Sequence, residues 1–275
     1  MDLAVQKTKA ERFRALHTAA EILILCNTSD VGTARVVEAA GYTAVATSSA
    51  GVAWMMGYPD GENIGREEML SMVHRIARAV DLPVTADMEA GYGPRAEDVA
   101  ETVRKTIEAG AVGINIEDGT RGATPLFEFE RAVERIRAAR EAADATGVPM
   151  VVNARTDGFL RGGKGEETFK EAVRRGNAYR QAGADCVFVP GVRDAQTIAA
   201  LVREIDAPVN TLSGAPSPPV PQLQALGVAR VSIGGLLSLA AATLVRNAAK
   251  ELRDSGTYSF AKGVILHPEM NSLLG

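Results

Sequence analysis

Cysteine and histidine are scarce here, two of the first and three of the second in 275 residues. Cys26 and Cys186 both fall in strand-like runs, which predicts buried thiols rather than a disulfide and fits a reducing cytoplasm. His17, His74 and His267 all lie away from strand ends, so neither a histidine base nor a zinc site is expected. Charge of one sign is also lacking. The net charge is -4 and no Lys/Arg block interrupts the chain. Nothing therefore recommends a nucleic-acid or anionic-membrane partner. No apolar run is long enough to span a bilayer. The first twenty residues read as a charged helix, not a signal peptide. No glycine-rich phosphate motif follows a strand. No lysine ends a strand, which argues against a Schiff-base aldolase.

What the chain has is alternation. Apolar runs at 22–27, 44–49, 83–88, 113–117, 149–154, 186–189, 208–212 and 230–233 read as strands. Helical patterns follow each in turn, at 33–40, 66–80, 94–108, 125–145, 166–181, 195–204, 221–226 and 236–253. A helix at 6–20 precedes them, and a longer loop carrying Trp54, Met55, Met56 and Asp60 follows the second strand. The strands are apolar almost throughout, as strands covered on both faces should be. Eight strand-then-helix units match a closed α/β (β/α)8 TIM barrel; an open doubly wound sheet is the alternative. Residues 1–255 are read as this barrel and 256–275 as a C-terminal helical extension. The extension is rich in Phe260, Ile265, Leu266, Leu273 and Leu274. It should cover the barrel end or pack on another subunit, with folding onto its own subunit as the alternative.

In such a barrel the site lies at the C-terminal strand ends. One stretch organises it, Val84-Thr85-Ala86-Asp87-Met88-Glu89-Ala90-Gly91-Tyr92-Gly93. Strand alternation points Asp87 and Glu89 to one face. Asn27, Ser48, Ser49, Glu117, Asp118, Arg155, Asp157, Asn210 and Ser232 end the other strands. Converging carboxylates repel, so some are protonated or a cation neutralises them. All-oxygen donors favour Mg2+ first and Mn2+ second. Solvated strand ends or helix caps are the other reading of Asp87 and Glu89. Arg155 is either a bidentate clamp for a substrate carboxylate or a structural ion pair with Asp118 or Asp157. Cys26 ends the first strand but has no base beside it.

Thr47-Ser48-Ser49-Ala50-Gly51, Pro59-Asp60, Ala86 to Gly93, Ile116-Glu117-Asp118 and Ala154-Arg155-Thr156-Asp157 together resemble the isocitrate lyase / phosphoenolpyruvate mutase superfamily. The likeness runs from about Phe13 into the tail. It implies a Mg2+ site held by Asp87, Glu89 and Glu117, often through water, with Asp60 close by. It implies a substrate carboxylate lying against Ser48, Ser49, Ala50, Asp87 and Arg155, with Asn210 as a further polar contact. Catalytic roles fall to Arg155, Asp60 and Glu117. The C-terminal helix usually exchanges between subunits in this family, and tetramers built as dimers of dimers are common. Two departures stand out. The loop Gly119-Thr120-Arg121-Gly122-Ala123-Thr124 lacks the lyases' Lys-Lys-Cys-Gly-His-type motif and the mutases' lysine and asparagine. Glu89 stands where an aspartate is more common. The expected function is a Mg2+-dependent lyase cleaving a C–C bond of a small 2-oxo or 2-hydroxy dicarboxylate. The alternatives are a C–P bond enzyme and a 2-oxo acid-binding protein with little turnover.

Overall fold

A computed structural model describes residues 2–121 and 125–275. The apolar runs form nine short parallel strands of one sheet. They are β1 (Leu23–Leu25), β2 (Asn27–Thr28), β3 (Val45–Thr47), β4 (Val84–Asp87), β5 (Gly113–Glu117), β6 (Val151–Arg155), β7 (Cys186–Phe188), β8 (Val209–Leu212) and β9 (Arg230–Ser232). The order is β1-β9-β8-β7-β6-β5-β4-β3-β2. Its two ends, β1 and β2, are one passage of chain broken at Cys26. The first strand thus pairs with β9 by one half and with β3 by the other. That closes the eight-position barrel the alternation predicts, with the extra strand count arising from this break.

The helices are α1 (Leu3–Leu16), α2 (Val31–Ala39), α3 (Ser49–Met55), α4 (Arg66–Ala79), α5 (Ala96–Glu108), α6 (Phe129–Thr146), α7 (Gly165–Gln181), α8 (Ala195–Glu204), α9 (Val220–Ala225), α10 (Leu236–Ser255) and α11 (His267–Leu274). Their apolar faces cover the barrel; in α4, Met69, Leu70, Val73, Ile76 and Ala77 are buried at helical spacing. α1 reaches beneath the barrel. A Cβ on Gly113 would stand 2.6 Å from Phe13 Cε1 and 2.7 Å from Thr85 Oγ1, so only glycine lets that ring approach the sheet. Gln6 Nε2 fastens the same helix by donating to the carbonyls of Ile107 at 2.7 Å and Ala111 at 3.0 Å.

Three elements differ from the sequence reading. Where a loop was expected after the second strand, α3 begins at once, because the Ser48 hydroxyl caps it by accepting from the Gly51 amide at 3.1 Å. Helix α6 starts at Phe129 rather than Pro125 because the chain first folds back on itself. The Phe127 amide donates to Asp118 O at 2.9 Å and the Thr120 amide to Pro125 O at 3.0 Å. Residues 122–124, part of the segment read as lacking the lyase and mutase motifs, lie outside the described residues. The tail takes the destination given as the alternative, its own subunit. α11 packs on α2 of its own chain, with Arg35 Nε donating to Leu273 O at 2.6 Å. α10 buries none of its side chains, and Leu244 and Val245 stand 57% and 67% exposed. No described helix is long and apolar enough to cross a membrane.

Candidate active site at the barrel mouth

β4, β5 and β6 lie side by side in register, Asp87 opposite Asn115 and Glu117 opposite Arg155. Their last residues bring the acidic groups and the arginine to one rim. Arg155 Nη1 meets Glu117 Oε2 at 2.7 Å, and Arg155 Nε donates to Asp157 Oδ1 at 2.6 Å. Burial opposes the Arg155 charge, but Glu117, Asp157 and Asp87 outweigh it and raise its pKa. Glu117 is raised well above the usual carboxylate range, first by burial and then by Asp157, Asp87 and Glu89, with Arg155 opposing. Of the two ion-pair partners expected for Arg155, Asp157 is found and Asp118 is not. Asp118 turns away to accept from Tyr179 Oη at 2.6 Å, the Asp157 amide at 2.8 Å and Arg175 Nη1 at 3.1 Å. It is a joint between β5, β6 and α7.

Asp87 faces the mouth. Its Oδ2 accepts from Ser49 Oγ at 2.7 Å and from the Ser49 amide at 3.3 Å, while its Oδ1 is buried without a partner. The cavity there holds about 300 Å³ and is lined by Ser48, Ser49, Ala50, Asp60, Asp87 and Arg155 among others. Burial and then the charge of Asp87 raise the pKa of Asp60. Asn210 does not line this cavity. It is fully buried, accepting from Ser232 Oγ at 3.3 Å, with its Nδ2 unpartnered. Leu212, two residues on, supplies the β8 contribution instead.

Glu89 departs most from the alternation argument. The strand ends at Asp87 and Glu89 adopts φ +49°, a left-handed turn that costs a non-glycine residue of the order of 1 kcal/mol. That turn carries Glu89 to an adjoining cleft of about 440 Å³, with Glu62, Arg121, Arg131 and Arg161, rather than to the wall beside Asp87. There its Oε2 accepts from the Glu62 amide while Oε1 is buried and unpartnered. Burial, then Asp87 and Asp60, push Glu89 up to about 8. Glu117 borders this cleft as well.

Among the described residues, no three Asp, Glu, His or Cys side chains stand close enough to grip one metal ion directly. The donor chemistry nonetheless fits a hard cation held partly through water. Two buried carboxylate oxygens, Asp87 Oδ1 and Glu89 Oε1, have no partner, and after burial the charge of Asp87 raises the pKa of Glu89. Cys26 sits at the break between β1 and β2, packed among Val31, Tyr42 and their neighbours outside the barrel, away from the mouth. Among the described residues, no histidine, cysteine or lysine lines the mouth cavity. Asn115 and Arg193 do line it and were missed by the sequence reading. Asn115 was visible as a polar residue two before Glu117, hence on its face of the strand.

Residues 13–253 match the family model described as phosphoenolpyruvate phosphomutase. An oxaloacetate decarboxylase of Paraburkholderia xenovorans is 31% identical over 218 residues, covering 76% of this chain and 70% of that protein. A solved structure from Burkholderia cenocepacia J2315 is 43% identical with a TM-score of 0.92, covering 98% of this chain and 96% of the other. A phosphonopyruvate hydrolase solved with oxalate and Mg2+ is 27% identical with a TM-score of 0.85, covering 96% of this chain and 94% of the other.

Proposed function

This chain belongs to the phosphoenolpyruvate phosphomutase family, and from that premise we propose that it is a Mg2+-dependent carbon–carbon lyase. Its substrate would be a small 2-oxo or 2-hydroxy dicarboxylate. The observation that carries the reading is the pairing, in one cavity of about 300 Å³, of the Arg155 guanidinium with the unpartnered Asp87 Oδ1. A volume of that size suits an acid of a few carbons. Mg2+, with Mn2+ as a substitute, would be held by Asp87, Glu89 and Glu117, mostly through water, with Asp60 beside them. When bound it supplies Lewis-acid polarisation of the substrate's keto oxygen. The rest falls to the chain. Arg155, held rigid by Glu117 and Asp157, binds a substrate carboxylate and stabilises charge developing on the adjacent oxygen. Ser48, Ser49 and Ala50 close the other side of the cavity, and Asp60 and Glu117 keep the ligand oriented.

Which bond breaks is narrowed by what the lining lacks. Cleavage of a 2-hydroxy acid requires a base to take the carbinol proton, and the groups the described mouth offers for that are carboxylates, Asp60 with its raised pKa foremost, with no histidine, cysteine or lysine. Decarboxylation of a 2-oxo dicarboxylate needs no such base. The electrons of the broken bond pass toward the keto oxygen, and solvent protonates the carbon. The oxaloacetate decarboxylase among the relatives is consistent with this.

The test is proton and phosphorus NMR of the protein with oxaloacetate, 2-methylisocitrate, isocitrate, dimethylmalate and phosphonopyruvate, with Mg2+ and then with EDTA. Metal-dependent loss of oxaloacetate, abolished by Asp87→Ala, is expected. Loss of phosphonopyruvate alone would point to C–P chemistry and sink the reading.

We also propose a homo-oligomer, a tetramer built as a dimer of dimers, with the uncovered α10 packed against a second copy. Its exposed Leu239, Leu244, Val245 and Leu252 support this. A cytoplasmic location accords with the free cysteines.

A further inference from the structure

Beneath the mouth runs a line of buried polar side chains that the proposed chemistry leaves unused. His17, the C-cap of α1, sits with Nδ1 2.9 Å from Phe13 O and Nε2 3.4 Å from Arg230 Nη1. Burial first, and the Arg230 charge second, lower the His17 pKa to about 3, so the ring is neutral. A neutral ring donates from Nδ1 to the carbonyl and accepts at Nε2 from the guanidinium. Arg230 has no exposed surface. Its Nη2 donates to Asn115 Oδ1 at 3.3 Å, and Asn153 Nδ2 donates to the same oxygen at 2.7 Å.

This arrangement settles which way the Asn115 amide points. A guanidinium can only donate, so the Asn115 atom facing Arg230 is the oxygen. The other atom, Nδ2, is therefore a fixed donor. No described residue accepts from it, and Asn115, 5% exposed, lines the mouth cavity, which leaves this donor to the cavity. Its cross-strand neighbour is Asp87, whose Oδ1 is likewise unpartnered. A donor fixed in direction at the wall of the cavity is set to bond what the cavity holds. A ligand oxygen lying there meets it without any reorientation of the amide.

We propose that Asn115 is a substrate-binding residue, donating from Nδ2 to an oxygen of the bound 2-oxo acid, and that Arg230 is a positioning residue that locks this orientation from below. The inference rests on the mouth being the carboxylate site of the proposed function. It adds a recognition element specific for an acceptor at the cavity floor. A site built around such a donor discriminates strongly against analogues that carry a methyl group or hydrogen there.

The probe is oxalate in the presence of Mg2+, titrated calorimetrically into the full-length protein. Asn115→Asp keeps the shape and gives Arg230 a carboxylate, so the fold should hold, but it removes the donor. Asn115→Ala removes the donor without adding charge. Both should weaken oxalate at least tenfold, with the Asn115→Asp melting temperature kept or raised. Arg230→Met should weaken oxalate in the wild-type background and add nothing to Asn115→Ala. Arg230→Lys should restore part of the loss, and it carries this arm if Arg230→Met does not fold. Binding of oxalate by Asn115→Ala within twofold of wild type would overturn the assignment, because charge repulsion alone would then explain any loss in Asn115→Asp. Full additivity of Arg230→Met with Asn115→Ala would overturn the positioning role. A wild-type protein that does not bind oxalate with Mg2+ would overturn the proposed function together with this inference.

Discussion

At the scale of the residue, burial decides more here than identity does. His17 reads in the sequence as one of three histidines remote from the chemistry, and it is remote. Yet its buried, neutral ring makes it a pH-sensitive support. Its pKa is about 3 in the folded chain against 6.5 as a free side chain, so between those values the unfolded state binds the extra proton. Stability is then full above about pH 6.5 and falls as pH drops through that window. Urea titrations at pH 7.5 and pH 5 should show wild type losing about 2 kcal/mol more than His17→Gln, the unfolded chain taking up its proton over roughly 1.5 pH units. Equal losses in the two proteins would refute it. Glu89 teaches the complementary lesson. Its presence in the acidic set was legible, but its direction was not. Alternation holds only while the strand lasts, and the strand stops at Asp87.

At the scale of the element, strands and their order could be read because apolar runs bounded by glycine and proline leave few other choices. Connections were harder. Ser48 turned an expected loop into α3 through a cap that a Ser-Ser pair only weakly signals. The backward fold of 118–127, bridged between Gly119 and Leu126, has no periodicity to announce it. Asp118 lies at the root of that fold and accepts from β6 and α7 alike. Asp118→Ala would leave the buried Arg175 and Tyr179 without their shared acceptor. It should cost about 3–5 kcal/mol in chemical denaturation, and a cost under 1 kcal/mol would show the joint to be dispensable. Gly113→Ala tests the floor in the same way. Its methyl would meet Phe13 and Thr85, so a loss of about 1–3 kcal/mol is expected as α1 is pushed outward.

At the scale of the whole molecule, the barrel followed from counting units, whereas the tail did not follow from composition. Its apolar residues allowed two destinations, and α11 on its own α2 accounts for only one part. α10 keeps a largely apolar surface in water. If a second copy covers it, Val245→Glu with Leu244→Glu should shift the sedimenting species to the monomer while the circular dichroism spectrum stays unchanged. A wild-type protein that sediments as a monomer at micromolar concentration would refute that interface.

The polar line under the mouth also bears on how the protein is made. His17 leaves the ribosome early, Asn115 midway and Arg230 only with the last strand. Until that strand arrives, the barrel lacks the partner of β1, and Asn153 alone holds the oxygen of the Asn115 amide. A nascent chain stalled before β9 therefore keeps an open sheet edge, with β1 and β8 each short of a neighbour, however complete its acidic rim.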